Sequence, residues 1–395
     1  MRHSVLALAV AMASAHAFAI DLQEDGSFKL TGFYNLTAAK IMSGSDQQFG
    51  LSDWHYQQWH CPCSIQNWEY VGMYEKDKGW QTTPESLVGV QLKKTFSDTF
   101  SATAQLVSRG DNTSYRPYTP TIDWAYLSWK PDGDSPWTFQ AGRKRIPLYY
   151  YSDYLYIGYA YPWVRPAPDV YGWPIYAYDG VNAIYEHDLG HTGWSLTANA
   201  WYGSFKNKND PYDTLLYDFT PGTTEGESWK DIWGAYASVT NGTYELRLMS
   251  MEYRDNLWSN NADGTQTIFN DHVFTRITGL AGNIDYKNLL VRSEVDRFQQ
   301  NANSPAKFVY DYALFGIGYK IGDFTPMYTF SRYRVEPSSA TAIEGRNTSM
   351  FSLRWDFMKN TAFKVQYDIS KDHSEYPYPF LGDSNILSFS LQGIF

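Results

Sequence analysis

The chain has 395 residues, a formal net charge of −10 and only 2 cysteines, which excludes a disulfide-built scaffold and gives no support to general nucleic-acid binding. Aromatic residues reach 18% (33 Tyr, 22 Phe and 15 Trp) while charged residues stay at 19%, the reverse of a disordered chain's balance. Residues 1–19 have the form of an export signal: Arg2 and His3, an apolar run over Ser4–Ala15, then the small-x-small sequence Ala17-Phe18-Ala19 ahead of Ile20. The expected division is a signal peptide at 1–19 and one folded unit over 20–395. No later stretch supplies the ~18 consecutive apolar residues of a membrane-spanning helix. The nearest, 146–164, is broken by Pro147, Asp153 and Pro162.

From residue 27 onward, apolar and polar residues alternate with period two, the mark of half-buried strands. Sixteen segments carry the pattern: 27–41, 84–95, 99–109, 121–130, 137–145, 179–188, 192–204, 229–240, 243–254, 270–285, 288–299, 306–321, 324–335, 346–358, 361–371 and 384–395. In the last, Leu387, Phe389, Leu391 and Phe395 share one face, while Ser388, Ser390 and Gln392 share the other. Short turns such as 97–98, 131–136, 189–191, 241–242, 322–323 and 359–360 alternate with long connections at 42–83, 146–178, 205–228, 255–269 and 372–383. An apolar face that stays large and aromatic-ended over strand after strand fits a transmembrane antiparallel β-barrel with short turns at the periplasmic rim and long extracellular loops. Fourteen or eighteen strands also fit, because segment 270–285 has an ambiguous face.

An alanine-rich leader, sixteen alternating segments and a terminal strand ending Gln392-Gly393-Ile394-Phe395 resemble the Gram-negative outer-membrane porins. The resemblance spans the whole of 20–395 and is architectural. It implies a passive channel for small hydrophilic solutes and ions, set among outer-membrane lipids, with no cofactor. It also implies a homotrimer, and a terminal Phe395 read by the barrel-assembly machinery. The third loop of such barrels folds inward and narrows the pore, a role that falls here on 146–178. Within it, 162–171 also resembles a signature of one proteobacterial porin subgroup.

The loop's composition points the same way. Residues 146–178 carry more aromatic surface than a loop in water would expose, stiffened by prolines at 162, 166, 168 and 174. Its charges Asp153, Arg165 and Asp169, with Tyr154 and Tyr171, are the candidate constriction residues, facing Arg143, Lys144 and Arg145 at its start. A charge facing lipid costs roughly 2–4 kcal/mol near the midplane, so mid-strand charges should face the lumen. Arg247, Arg292, Glu294 and Arg354 are candidate lumen charges on that ground, with Lys93, Lys130, Lys144, Lys320, Lys364, Glu186, Glu245, Asp296, Asp356 and Asp368. The wall comes out slightly basic, a balance too even to fix an anion or cation preference.

Other chemistry is sparse. Cys61-Pro62-Cys63 lies in the first long connection near His55 and His60, a donor set for Zn or Cu(I) or a local cross-link. A metal-binding or redox barrel is therefore one rival, and a barrel-wall lipid hydrolase is another. No Walker loop, G-x-S-x-G or H-E-x-x-H is present. The expectation is a non-enzyme.

Overall fold

The computed structural model describes residues 20–44, 63–64, 74–75, 78–110, 118–172, 177–210, 222–304, 307–337, 344–373 and 383–395. Sixteen strands form one antiparallel barrel. We number them β1 Phe28–Gly44, β2 Leu87–Ser97, β3 Phe100–Arg109, β4 Thr121–Trp129, β5 Trp137–Arg145, β6 Ala177–Asp188, β7 Ser195–Asp210 and β8 Thr224–Thr240. The second half comprises β9 Tyr244–Asn260, β10 Gln266–Tyr286, β11 Leu289–Gln300, β12 Phe308–Tyr319, β13 Phe324–Pro337, β14 Glu344–Met358, β15 Thr361–Asp372 and β16 Ser384–Ile394. Each strand pairs with its sequence neighbours, and β16 pairs with β1 from Ser384↔Gly44 to Ile394↔Phe33, so the sheet closes and no edge remains.

Closure is finished by the last residue. Phe395 and Gly32 exchange backbone bonds of 2.7 and 2.9 Å. The Phe395 ring lies over Gly32, where a Cβ would come within 2.2 Å of it. Glycine is needed at that position for the ring to lie flat on the strand.

All sixteen segments read from the alternation are strands. The turns at one rim are short: 98–99, 130–136, 189–194, 241–243, 287–288, 320–323 and 359–360. Lys287 and Asn360 take positive φ there, 54° and 60°, as tight hairpins require. Two long connections contract. Strand β7 runs on to Asp210 and β8 begins at Thr224, while β9 and β10 leave only 261–265 between them. Both ends of 205–228 and most of 255–269 are therefore strand, standing above the apolar band.

The outer face is apolar in its lower part, with Leu127, Trp129, Phe139, Leu248, Phe315, Phe351 and Trp355 all exposed. Trp and Phe cluster beside the short turns, stacking as Trp129–Phe139 and Phe324–Trp355, the interfacial belt expected of a spanning barrel. Among the described residues no helix is long and apolar enough to cross a membrane. The main hydrophobic core lies inside the barrel, between the β5–β6 loop and the inner faces of β7–β14.

Candidate functional site: the loop across the lumen

The described part of the β5–β6 loop, 146–172, turns into the barrel through two 3-10 turns, Ser152–Tyr154 and Gly158–Ala160, and one helical turn, Pro168–Tyr171. Pro168 opens that turn at a position whose N–H would have had no partner in the helix. Leu148, Tyr149, Tyr151, Leu155, Trp163, Val170 and Tyr171 are buried against inward-facing Met249, Met251, Ile277, Leu314, Met327 and Met350. Each such side chain contributes roughly 1.5–3 kcal/mol on burial, which holds a loop this long inside.

Polar contacts then fix its position. Lys364 Nζ, fully buried on β15, donates to the carbonyls of Gly158, Tyr161 and Trp163 at 2.7, 2.6 and 2.8 Å. Arg354 on β14 donates to the carbonyls of Tyr159 and Tyr161, at 2.7 and 3.2 Å. Trp163 Nε1 donates to Thr329 at 2.8 Å, and Gln366 and Gln392 bond the backbone of Val164. Arg247 on β9 donates to the carbonyls of Pro147 and Tyr150 and stacks on the Tyr236 ring. These strands hold one side of the loop at every turn of its path.

Three buried ion pairs complete the docking. Arg165, 1% exposed, meets Glu85, Asp368 and Ser388, with the Tyr74 ring beside it. Burial opposes its charge, yet Glu85 and Asp368 hold its pKa well above the ordinary guanidinium value. Asp169 pairs with Arg346 and accepts from Ser331. Glu294 accepts from the Tyr171 hydroxyl and the Tyr150 N–H. Burial, with nearby carboxylates adding to it, raises the phenols of Tyr150, Tyr154, Tyr161 and Tyr171, so they stay neutral and act as donors.

The facing wall is different. Gln105 bonds Gln91, Gln140 bonds Ser128, and Asn182 bridges Gln140 and Asn199, all at 3.1–3.2 Å. Lys144 donates to Gln140 at 2.6 Å and lies 5.0 Å over the Tyr126 ring. Asp153 on the loop is within electrostatic reach of Lys144, Tyr126, Tyr178 and Tyr236. Tyr126, Gln140 and Lys144 are only partly buried. A hydrogen-bonded polar ladder thus faces one carboxylate.

Of the residues expected at a constriction, Asp153 and Lys144 lie within electrostatic reach of each other, and partly buried Tyr154 packs against the core. Arg165, Asp169 and Tyr171 are spent on wall contacts and buried, so they anchor the loop. Arg145 is buried against Asp123 and the Tyr156 ring. Arg143 is corrected outright. Its side chain is on the outer face, paired with the cross-strand Asp179 at 2.7 Å. It follows Trp137, Phe139 and Ala141 outward by strict alternation, a signal present in the sequence but hidden in the basic run 143–145. Arg247, Glu294 and Arg354 point inward and are engaged with the loop, while Arg292 pairs with Asp285 near the short-turn rim. Glu85 and Arg346 were missed. Arg346 shares the phase of Arg354, and Glu85 the phase of Gln91.

Cys61 and the side chain of Cys63 lie outside the described residues, as does 1–19. Among the described residues no group of three or more His, Cys, Asp or Glu could hold a metal. The described histidines, His187, His191, His272 and His373, are all exposed.

Solved structures align over nearly the whole chain. OmpT, an outer-membrane protein of Vibrio cholerae, matches at 12% identity and TM-score 0.55, covering 96% of this chain and all of that one. This is the porin fold. The outer-membrane channel DcaP of Acinetobacter baumannii matches it at 12% identity and TM-score 0.54, covering 93% of this chain and 97% of that one. An anion-selective porin from Comamonas acidovorans matches at 11% and 0.54, covering 93% and 99%. No family model matches the chain, and no curated protein matches its sequence. At 11–12% identity, these structures share the barrel fold with this chain and little of its sequence.

Proposed function

We propose that this chain is an outer-membrane porin that passes small hydrophilic solutes and ions by passive diffusion. Residues 1–19 direct its export, and the barrel works as a homotrimer. One observation carries the reading: a closed barrel whose loop is fastened to one wall and presents Asp153 to a polar ladder on the other. Solutes pass between the loop and the β2–β7 wall. The opposed charges of Asp153 and Lys144 orient dipolar solutes there, while Gln, Asn and Ser side chains exchange hydrogen bonds with water as the solute moves. No covalent step or cofactor is needed.

The test is conductance in a planar bilayer under a salt gradient. Stepwise currents are expected, with the reversal potential moving toward anions in Asp153→Asn. Absence of steps from folded, heat-modifiable protein would overturn the reading.

A further inference from the structure

The charges on the two sides of the loop are in different states. On the anchored side they are spent: Arg165 meets Glu85 and Asp368, Asp169 meets Arg346, and Lys364 and Arg354 bond loop carbonyls. Asp153, in the first 3-10 turn of the loop, is held otherwise. Its carboxylate makes no hydrogen bond or ion pair among the described residues. Lys144 Nζ donates to the Gln140 amide oxygen at 2.6 Å and lies 5.0 Å over the Tyr126 ring, yet no carboxylate among the described residues pairs with it. The two opposite charges are near enough to act on each other and do not touch.

Both stand half-buried, with Tyr126, Tyr178 and Tyr236 within electrostatic reach of Asp153. Rings and loop replace part of the water around the two charges, so each acts more strongly than it would in bulk solvent. Arg247, the cation stacked on Tyr236, is committed to loop carbonyls. From Lys144 the wall continues as Gln140, Asn182 and Asn199, joined by hydrogen bonds and uncharged. Such a passage treats solutes by their charge pattern. A small cation drawn to Asp153 is repelled by Lys144, and an anion drawn to Lys144 is repelled by Asp153. A neutral solute engages neither. A solute with an ammonium at one end and a carboxylate at the other satisfies both together.

We propose that the passage admits small zwitterions, solutes carrying one ammonium and one carboxylate group, in preference to uncharged solutes of the same size. Asp153 takes the ammonium and Lys144 the carboxylate. The inference rests on the porin reading above and names the solute class that its open side prefers. Engagement at each end stays weak, because half-exposed ion pairs contribute little. Weak engagement is what a conducting site needs, since the solute must leave as readily as it enters.

The test measures entry of radiolabelled alanine and of lactamide, its uncharged isomer, into phosphatidylcholine vesicles holding the full barrel. Each solute is present at micromolar concentration, and entry into protein-free vesicles is subtracted. The isomers share their atoms and nearly their size, so charge is what separates them. Alanine is expected to enter about fivefold faster than lactamide, the combined effect of two half-exposed ion pairs. Asp153→Asn and Lys144→Gln should each lower the ratio to about twofold, and the double variant to about one. Arg143→Gln, on the outer face, should keep the wild-type ratio. Equal entry of the two isomers through the wild type would overturn the proposal, and so would a ratio that both lumen variants leave unchanged. Continued lactamide entry separates that failure from failure of the porin reading, in which neither solute enters. Heat-modifiable mobility shows that each variant folds, and where Asp153→Asn does not, Lys144→Gln carries the test alone.

Discussion

The two sides of the lumen wall belong to one sheet and obey one alternation, yet they hold different materials. From β9 round to β16 the inward residues mix Met, Ile and Leu with charged groups such as Lys364, Asp368 and Arg346 and with Thr329, Ser331, Thr348 and Gln366, and all of these named polar groups are buried. From β2 to β7 they include Gln, Asn, Ser and Lys bonded to each other, with Gln105, Asn182 and Asn199 buried and Gln91, Gln140 and Lys144 partly open. The first side behaves as the core of a soluble domain and the second as a wetted surface. A barrel gains stability from the one and passage from the other, so substitutions should separate the two properties by side.

The sharpest break is expected at Arg165. Arg165→Met leaves Glu85 and Asp368 buried without their cation, a loss of about 3–5 kcal/mol, read as a lower urea midpoint in detergent and as noisy, enlarged conductance from a loosened loop. Trp163→Ala should cost about as much, about 3–5 kcal/mol, by emptying a cavity and losing the Thr329 bond. An unchanged urea midpoint in either variant would show that the loop is not docked as described. Lys144→Gln tests the open side. Its stability should stay within about 0.5 kcal/mol of wild type, while the reversal potential moves toward cations. A large stability loss there would erase the contrast. Smallest of all, Arg143→Gln should change stability by about 0–1 kcal/mol and leave the reversal potential unmoved, because that pair is outside the barrel. A shift in selectivity would put Arg143 back in the lumen.

The barrel itself was legible. Sixteen alternating segments are sixteen strands, while the closure of the sheet by Phe395 against Gly32 was seen only in the structure. The reading failed where strands leave the apolar band. Along 205–210 and 224–228 both faces carry polar residues, Lys206 and Lys208 outward, Glu225 and Glu227 inward, so the ladder of backbone bonds persists while the alternation that reveals it disappears. At the site, Asp153 and Lys144 were both visible as candidates, one among the loop charges and one in the basic run at the end of β5, but nothing in the sequence joined them as a pair. Arg165 and Asp169 were visible as loop charges but not as anchors. Their partners are Asp368 and Arg346, some 200 and 177 residues away in the chain, and nothing local marks such pairs.

Composition and period two pointed to a barrel with aromatic belts, since in a bilayer strands with an outward apolar face and an inward polar one satisfy every backbone group only by closing. The tertiary structure alone decided which inward charges stay free. A charge on the lumen face becomes an anchor or a pore residue according to whether the loop covers it, and that depends on where Met249, Met327 and Met350 offer the loop an apolar bed.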